Sequence, residues 1–156
     1  MDGGNSIMAT RSSIAVKHGN NVKAIYCHWD GYLDNVGTIL LKHYNSTKAN
    51  NLVALGDVSS LGTDIGEAHD FERLDTMCEY TEEGFRTDTN FYMRDRGEQG
   101  CEFRTFASET EWLDEYGQDY NYLMDNGVWY VSAYNKDFMP LHEAIENEKL
   151  AEGHDE

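Results

Sequence analysis

Two stretches of the chain alternate apolar and polar residues in the manner of paired strands. Residues 12–29 contain two such runs on either side of the turn signal Gly-Asn-Asn, and residues 119–134 contain two more on either side of Asn126-Gly127. Asparagine and glycine accept the positive φ angles of a tight turn, so both stretches predict hairpins. Residues 91–106 alternate around a longer polar connection and predict a third hairpin.

Other segments place apolar residues at the spacing of a helix. One begins with the capping box Ser108 to Glu111, and another carries Pro140, which suits a first helical turn. Because hairpins alternate with helices, the sequence predicts an α+β fold, in which an antiparallel sheet carries helices mainly on one face. The predicted helices cover residues 35–44, 47–55, 109–116 and 140–151.

The chain has the size and composition of one domain. Its 156 residues are 40% hydrophobic, which is enough for a core. We expect the domain to span residues 8–151, with flexible ends at residues 1–7 and 152–156. Within it, residues 57–90 are acidic and rich in glycine, and they predict a partly irregular segment.

Charge divides the chain into two unequal parts. The formal net charge is −17, yet residues 1–56 contain five basic and three acidic residues, whereas residues 57–156 contain seven basic and 26 acidic ones. A field of this sign disfavours direct binding of DNA or RNA. It favours a partner with a basic surface, including one that normally holds nucleic acid. The plainer interpretation is an acidic soluble protein with no such partner.

Cofactor, metal and membrane motifs are missing from the sequence. The three cysteines, Cys27, Cys78 and Cys101, form no C-x-x-C pair and indicate reduced thiols rather than disulfides or a zinc site. We find no phosphate-binding loop, dinucleotide glycine motif, zinc-protease motif or calcium loop, so we predict no cofactor and no metal. No apolar run approaches the length of a membrane span, so no membrane partner is predicted either.

The three tryptophans, Trp29, Trp112 and Trp129, are expected in the core. On the second predicted strand Trp29 shares a face with Ile25 and Cys27, since alternate residues of a strand point the same way. This places Cys27 inside the protein as a small apolar residue rather than a nucleophile.

His28 and Asp30 project from the opposite face of that strand. They are close enough in a strand to share a proton or a ligand. Together with Tyr32 and Arg11 they form a candidate ligand-binding site, in which Arg11 would meet a phosphate. Alternatively, Asp30 and Gly31 form a turn and His28 is hydrogen-bonded beside it.

Tyrosines alternate with acidic residues in the second half of the chain. Aromatic anchors ringed by carboxylates suit a face that covers a basic groove, although the same rings can pack in the core or across strands. We expect the three tyrosines of this set to be exposed. The candidate partner-binding residues are Glu111, Asp114, Glu115, Tyr116, Asp119, Tyr120 and Tyr122.

The N-terminal quarter of the chain, residues 8–44, resembles a group of small phage and prophage proteins. These proteins begin near Met-Ala/Gly-Thr-Arg-Ser and carry a His-Trp-Asp-Gly-Tyr signature before a helix with an early glycine. The resemblance implies a phage source and a small domain rather than a particular activity, and it assigns no catalytic residue. The matching residues are Thr10, Arg11, Ser12, His28, Trp29, Asp30, Gly31, Tyr32 and Gly37.

These observations lead to a phage-type inhibitor as the first functional hypothesis. Its acidic half would act in the host cytoplasm as a nucleic-acid mimic, docking on the basic surface of a defence complex such as a CRISPR effector or a restriction nuclease. An alternative is a binding protein or enzyme for a small molecule or signalling nucleotide, using His28, Asp30 and Tyr32. A phage accessory protein is a third hypothesis. Since no catalytic motif is present, binding is favoured over catalysis.

Overall fold

The computed structural model describes residues 9–72 and 78–154 and has the predicted α+β fold. Within these residues, eight strands form one mixed, mostly antiparallel sheet. Their order is β4-β3-β2-β1-β6-β7-β8, with β5 also paired to β2. The strands are β1 (Ser12–His18), β2 (Asn21–Cys27), β3 (Val58–Ser60), β4 (Asn90–Phe91), β5 (Arg104–Phe106), β6 (Tyr120–Asp125), β7 (Val128–Ala133) and β8 (Met139–Pro140).

The four predicted helices are present. The first is preceded by a π-helical turn, Leu33–Gly37, and the last continues to His154, beyond the predicted end at residue 151. An additional short helix follows β4. The helices are α1 (Thr38–His43), α2 (Ser46–Ala54), α3 (Tyr92–Arg96), α4 (Glu109–Tyr116) and α5 (Leu141–His154). The predicted flexible residues 1–7 and 155–156 lie outside the described part of the chain.

Two of the three predicted hairpins are confirmed, and they form the centre of the sheet. Strands β1 and β2 pair antiparallel, as do β6 and β7. The second hairpin turns at Asn126 and Gly127, whose φ angles are 56° and 84°, as the tight turn requires. Strands β1 and β6 then run parallel, with Ile14 beside Tyr122, and this pairing joins the two hairpins.

The hairpin predicted over residues 91–106 is wrong. Strand β4 pairs with β3, and β5 pairs with β2, so the two segments are not partners. Strand β4 ends at Phe91 because the Asp95 carboxylate accepts the Phe91 N–H at 2.8 Å and the chain turns into α3. Gly97, with φ 75°, then ends that helix.

The sheet separates two cores of different size. Ile14 and Val16 of β1 face the larger core, where they meet apolar residues of α1, α2 and α5. Ala15 faces the other way, into a smaller core covered by α4. Successive strand residues point to opposite faces, so one strand serves both cores. Helices α1, α2 and α5 therefore pack on one face, and α4 packs on the other.

Two of the three tryptophans lie in these cores, and the third does not. Trp112 and Trp129 are buried as predicted. Trp29 is 42% exposed, so its predicted place in the core is wrong. The reason is that β2 ends at Cys27 and the chain turns away at Asp30, whose φ is 57°.

Gly31 and the start of β1 form one packed contact. The Gly31 N–H donates to the Thr10 carbonyl at 2.9 Å, and the Tyr122 hydroxyl donates to the Gly31 carbonyl at 2.7 Å. A Cβ atom on Gly31 would lie 2.8 Å from the Ser12 Cβ, which real structures do not tolerate. The glycine of the His-Trp-Asp-Gly-Tyr signature thus has a structural role, because only glycine fits against β1.

Candidate functional site

Helix α4 is fixed to the sheet by one apolar face. The Ser108 side chain accepts a hydrogen bond from the Glu111 N–H at 3.1 Å, so the predicted cap starts the helix. Trp112 is fully buried, packs in the smaller core and stacks on Phe138 with ring centroids 5.8 Å apart. Its partners from the sheet and from β5 are Ala15, Val22, Ala24, Phe106 and Leu123. The other face of α4 is thereby held outward.

That outward face carries carboxylates at the C-terminal end of the helix, where negative charge is unfavourable. Asp114 and Glu115 are exposed and lie in the last turn, where α4 has no basic residue. The C-terminus of a helix carries partial negative charge, which makes an acid there slightly unfavourable. Glu109 and Glu111 lie in the first turn, where the same dipole favours them. We name Glu111, Asp114 and Glu115 the α4 acidic face.

No cation among the described residues neutralises the α4 acidic face. Glu109, also in the first turn, pairs with Lys17 at 3.1 Å. Among the ion pairs formed by residues 9–72 and 78–154, none includes Glu111, Asp114 or Glu115. The exposed carboxylates therefore keep their charge available to a molecule that approaches from solvent.

Tyr116 borders the α4 acidic face and is held by a cation. Arg104 donates from Nη1 to the Tyr116 hydroxyl at 2.8 Å, and its guanidinium lies over the ring, 4.5 Å from the centroid. Arg104 Nη1 is also 3.5 Å from Oδ1 of the buried Asp57. Burial, followed by the Asp57 charge, raises the pKa of Tyr116 well above its usual value, so its hydroxyl stays neutral.

Asp119, Tyr120 and Tyr122 continue from α4 into β6, and only part of this group reaches the surface. Asp119 accepts the Arg11 N–H at 3.4 Å, and Tyr120 is half-buried against Tyr134. Burial raises the pKa of Tyr120 to about 12. Tyr122 is fully buried, so its predicted exposure is wrong; it faces the larger core, because β6 is covered on that side. The surface set is thus the α4 acidic face with Tyr116, Asp119 and Tyr120 at its border.

The four residues of the alternative ligand site are divided between separate places. The Tyr26 hydroxyl lies 2.7 Å from His28 Nδ1, and burial and the nearby Arg11 charge lower the pKa of His28. Asp30 instead lies 3.5 Å from the Tyr32 hydroxyl. Asp30 and Arg11 line two different cavities, and His28 lines neither of these two.

Sequence reasoning missed Asp57 and Arg104, which position Tyr116. They are 47 residues apart in the chain and meet only because β5 pairs with β2. A lone acid at the start of an acidic stretch gives no signal of burial. The hairpin predicted over residues 91–106 placed β5 beside the wrong strand. The sequence therefore gives no indication that Arg104 lies near Asp57.

Other chemistry is limited in the part of the chain that the structure describes. Burial raises the pKa of the Cys27 thiol to about 12, so it is no nucleophile at neutral pH. No group of three or more His, Cys, Asp and Glu side chains lies together as a metal site among the described residues. None of the described helices is both long enough and apolar enough to span a membrane.

Comparison with protein-family models, curated proteins and solved structures gives no match for this chain. The resemblance of residues 8–44 to small phage proteins therefore stays a prediction. The surface geometry and charge of the molecule itself are the basis for assigning a function.

Proposed function

We propose that the protein is a phage-type inhibitor that binds a basic, nucleic-acid-binding surface of a host defence protein in the host cytoplasm. The observation that supports this most is the placement of Asp114 and Glu115. Both are exposed, and neither forms an ion pair among the described residues. Both lie at the C-terminal end of the helix, where the helix dipole disfavours negative charge. Residues that oppose local stability without a compensating contact are often kept for binding.

The spacing of the α4 acidic face suits a partner that binds nucleic acid. Residues 111 and 115 are one helical turn apart, so their side chains repeat at about 6 Å along one face. Carboxylates one turn apart on a helix that is fixed to the sheet present negative charge as a nucleic-acid backbone does. Tyr116, fixed by Arg104, borders them.

The charge of the whole chain supports the same proposal. A net charge of −17 attracts a basic surface from a distance and accelerates encounter, whereas it repels free DNA and RNA. Because the N-terminal unit resembles small phage proteins, we propose a host defence complex as the binding partner. CRISPR effectors and restriction nucleases both expose basic grooves.

The proposal is tested by competition. Candidate effectors are incubated with labelled duplex DNA and increasing amounts of the protein, at low and at high ionic strength. We expect the protein to displace DNA at low ionic strength and to lose affinity as salt screens the charges. Tight binding that does not change with salt, or binding that leaves DNA in place, would contradict nucleic-acid mimicry.

A further inference from the structure

A small cavity lies beside the turn that follows β2. Trp29 and Asp30 form one side, and Tyr80 and Arg86 form the other, from the turn at residues 80–86. Its volume is about 130 Å³. Sites for drug-sized ligands and nucleotides measure roughly 300–1,000 Å³, so this cavity accommodates the end of one side chain rather than a cofactor.

Two exposed aromatic rings define this cavity. Trp29 is 42% exposed and Tyr80 is 58% exposed, so a ligand can reach both. Elsewhere in the protein aromatic rings hold cations: Lys48 lies over Tyr44 at 4.4 Å, and Arg94 lies over Phe91 at 4.5 Å. Tryptophan forms the strongest cation–π contacts of the aromatic side chains. Among the described residues, however, no Lys or Arg lies over the Trp29 ring.

Asp30 adds a negative charge next to Trp29. It takes part in no ion pair among the described residues, and its side chain contacts the Tyr32 hydroxyl only at 3.5 Å. Its φ of 57° is the left-handed region, which side chains other than glycine occupy at a cost. Arg86 opposes a second cation, but its guanidinium lies on the Tyr80 side of the cavity, 6.0 Å from that ring.

We infer that this cavity, the Trp29–Tyr80 cleft, receives an arginine side chain of the basic partner. A planar guanidinium stacks on an indole ring and donates to a carboxylate at the same time, which an ammonium group does less well. The inference rests on the proposed function, since it names one anchor point of that basic surface. It also gives the exposed Trp29 and Asp30 of the phage-like signature a role that the Gly31 packing does not.

The test uses a hexa-arginine peptide with the full-length protein at low ionic strength. Because Trp112 and Trp129 are buried, quenching by acrylamide reports on Trp29, and we expect the peptide to protect it. Isothermal titration calorimetry, which does not depend on Trp29 fluorescence, should show that Trp29→Ala, Tyr80→Ala and Asp30→Asn each weaken peptide binding about five- to tenfold. Asparagine tolerates the left-handed φ of residue 30, so that variant keeps the backbone.

A matched control separates the cleft from bulk charge. Asp137→Asn removes the same charge as Asp30→Asn from another exposed position, and it should bind the peptide like wild type. If wild type binds and the three cleft variants bind equally well, the inference is wrong and the proposed function stands. If wild type binds neither hexa-arginine nor hexa-lysine, both proposals fail. Equal affinity for the two peptides would contradict the preference for arginine.

Discussion

Three acidic residues of segment 57–98 and two of helix α4 are held in opposite ways. In the segment, Asp64 pairs with Lys48 at 2.9 Å, Glu83 pairs with Lys42 at 3.0 Å, and the buried Asp95 pairs with its neighbour Arg94. In the last turn of α4, Asp114 and Glu115 face solvent without a described cation. Both regions are acidic in sequence, but these three residues use their charge in ion pairs within the fold, whereas Asp114 and Glu115 leave theirs available for a partner.

The largest difference should appear when Asp95 is removed. Its side chain is fully buried, accepts the Phe91 N–H at 2.8 Å and the His69 N–H at 3.1 Å, and pairs with Arg94. Asp95→Ala leaves these donors unsatisfied and should lower the free energy of unfolding by about 3 kcal/mol. Urea denaturation measures this. Asp114→Ala, the matched control, should change stability by less than about 0.5 kcal/mol.

Asp57 should affect stability by an amount between those of Asp95 and Asp114, and its effect should depend on pH. Burial raises the pKa of this carboxyl above 3.8, while the Tyr26 hydrogen bond and Arg104 oppose the shift. Since the folded pKa is the higher one, the stabilisation from Asp57 is complete below the unfolded value. It is lost as pH rises through the folded pKa, by about 1.4 kcal/mol for each unit of difference.

Asp57→Asn should abolish this loss. Unfolding free energies of wild type and variant are compared from about pH 4 to pH 7, where we expect wild type to lose stability relative to the variant. A difference that stays constant over this range, or that moves in wild type's favour as pH rises, would show that Asp57 is not penalised by burial.

Asp64→Asn tests an exposed pair of the segment. The carboxylate is 72% exposed, so its pairing with Lys48 is screened by water. We expect a loss of about 0.5 kcal/mol that disappears at high ionic strength. Thermal unfolding in two salt concentrations measures it. A loss that is the same at both would mean that packing, and not charge, explains the effect.

The smallest expected effect is a gain in stability, not a loss. Neutralising the last turn of α4 in Asp114→Asn/Glu115→Gln removes charges that oppose the helix dipole, so the double variant should gain a few tenths of a kcal/mol, about 0.5 kcal/mol at most. Differential scanning calorimetry at low ionic strength detects it as a small rise in Tm. A clear drop in Tm would mean that these carboxylates stabilise the fold after all.

The elements that the sequence predicted are those controlled by local chemistry. Asn126-Gly127 defines its own turn, Ser108 caps α4, and Gly56 with φ 92° follows α2, so their boundaries follow from neighbouring residues. The parallel pairing of β1 with β6 and the partner of β4 depend on residues far apart in the chain. No local pattern indicates them.

The candidate surface was predictable to a similar extent. Glu111, Asp114 and Glu115 follow directly from a helix whose apolar side is marked by Trp112. Tyr122 was misplaced because its strand has a core on the side that sequence alone leaves open. Trp29 was misplaced because alternation cannot tell where a strand ends, and Asp30 turns the chain just after it.

The central claim is that the α4 acidic face, and not acidity in general, binds the basic partner. The most direct measurement compares Asp114→Asn/Glu115→Gln with Asp64→Asn/Glu83→Gln, two variants that remove the same charge, in binding to a basic nucleic-acid-binding effector across a range of ionic strength. We predict that the α4 variant binds about tenfold more weakly at low ionic strength and depends less on salt, whereas the segment variant binds like wild type. Equal weakening of both variants, or of neither, would contradict the claim.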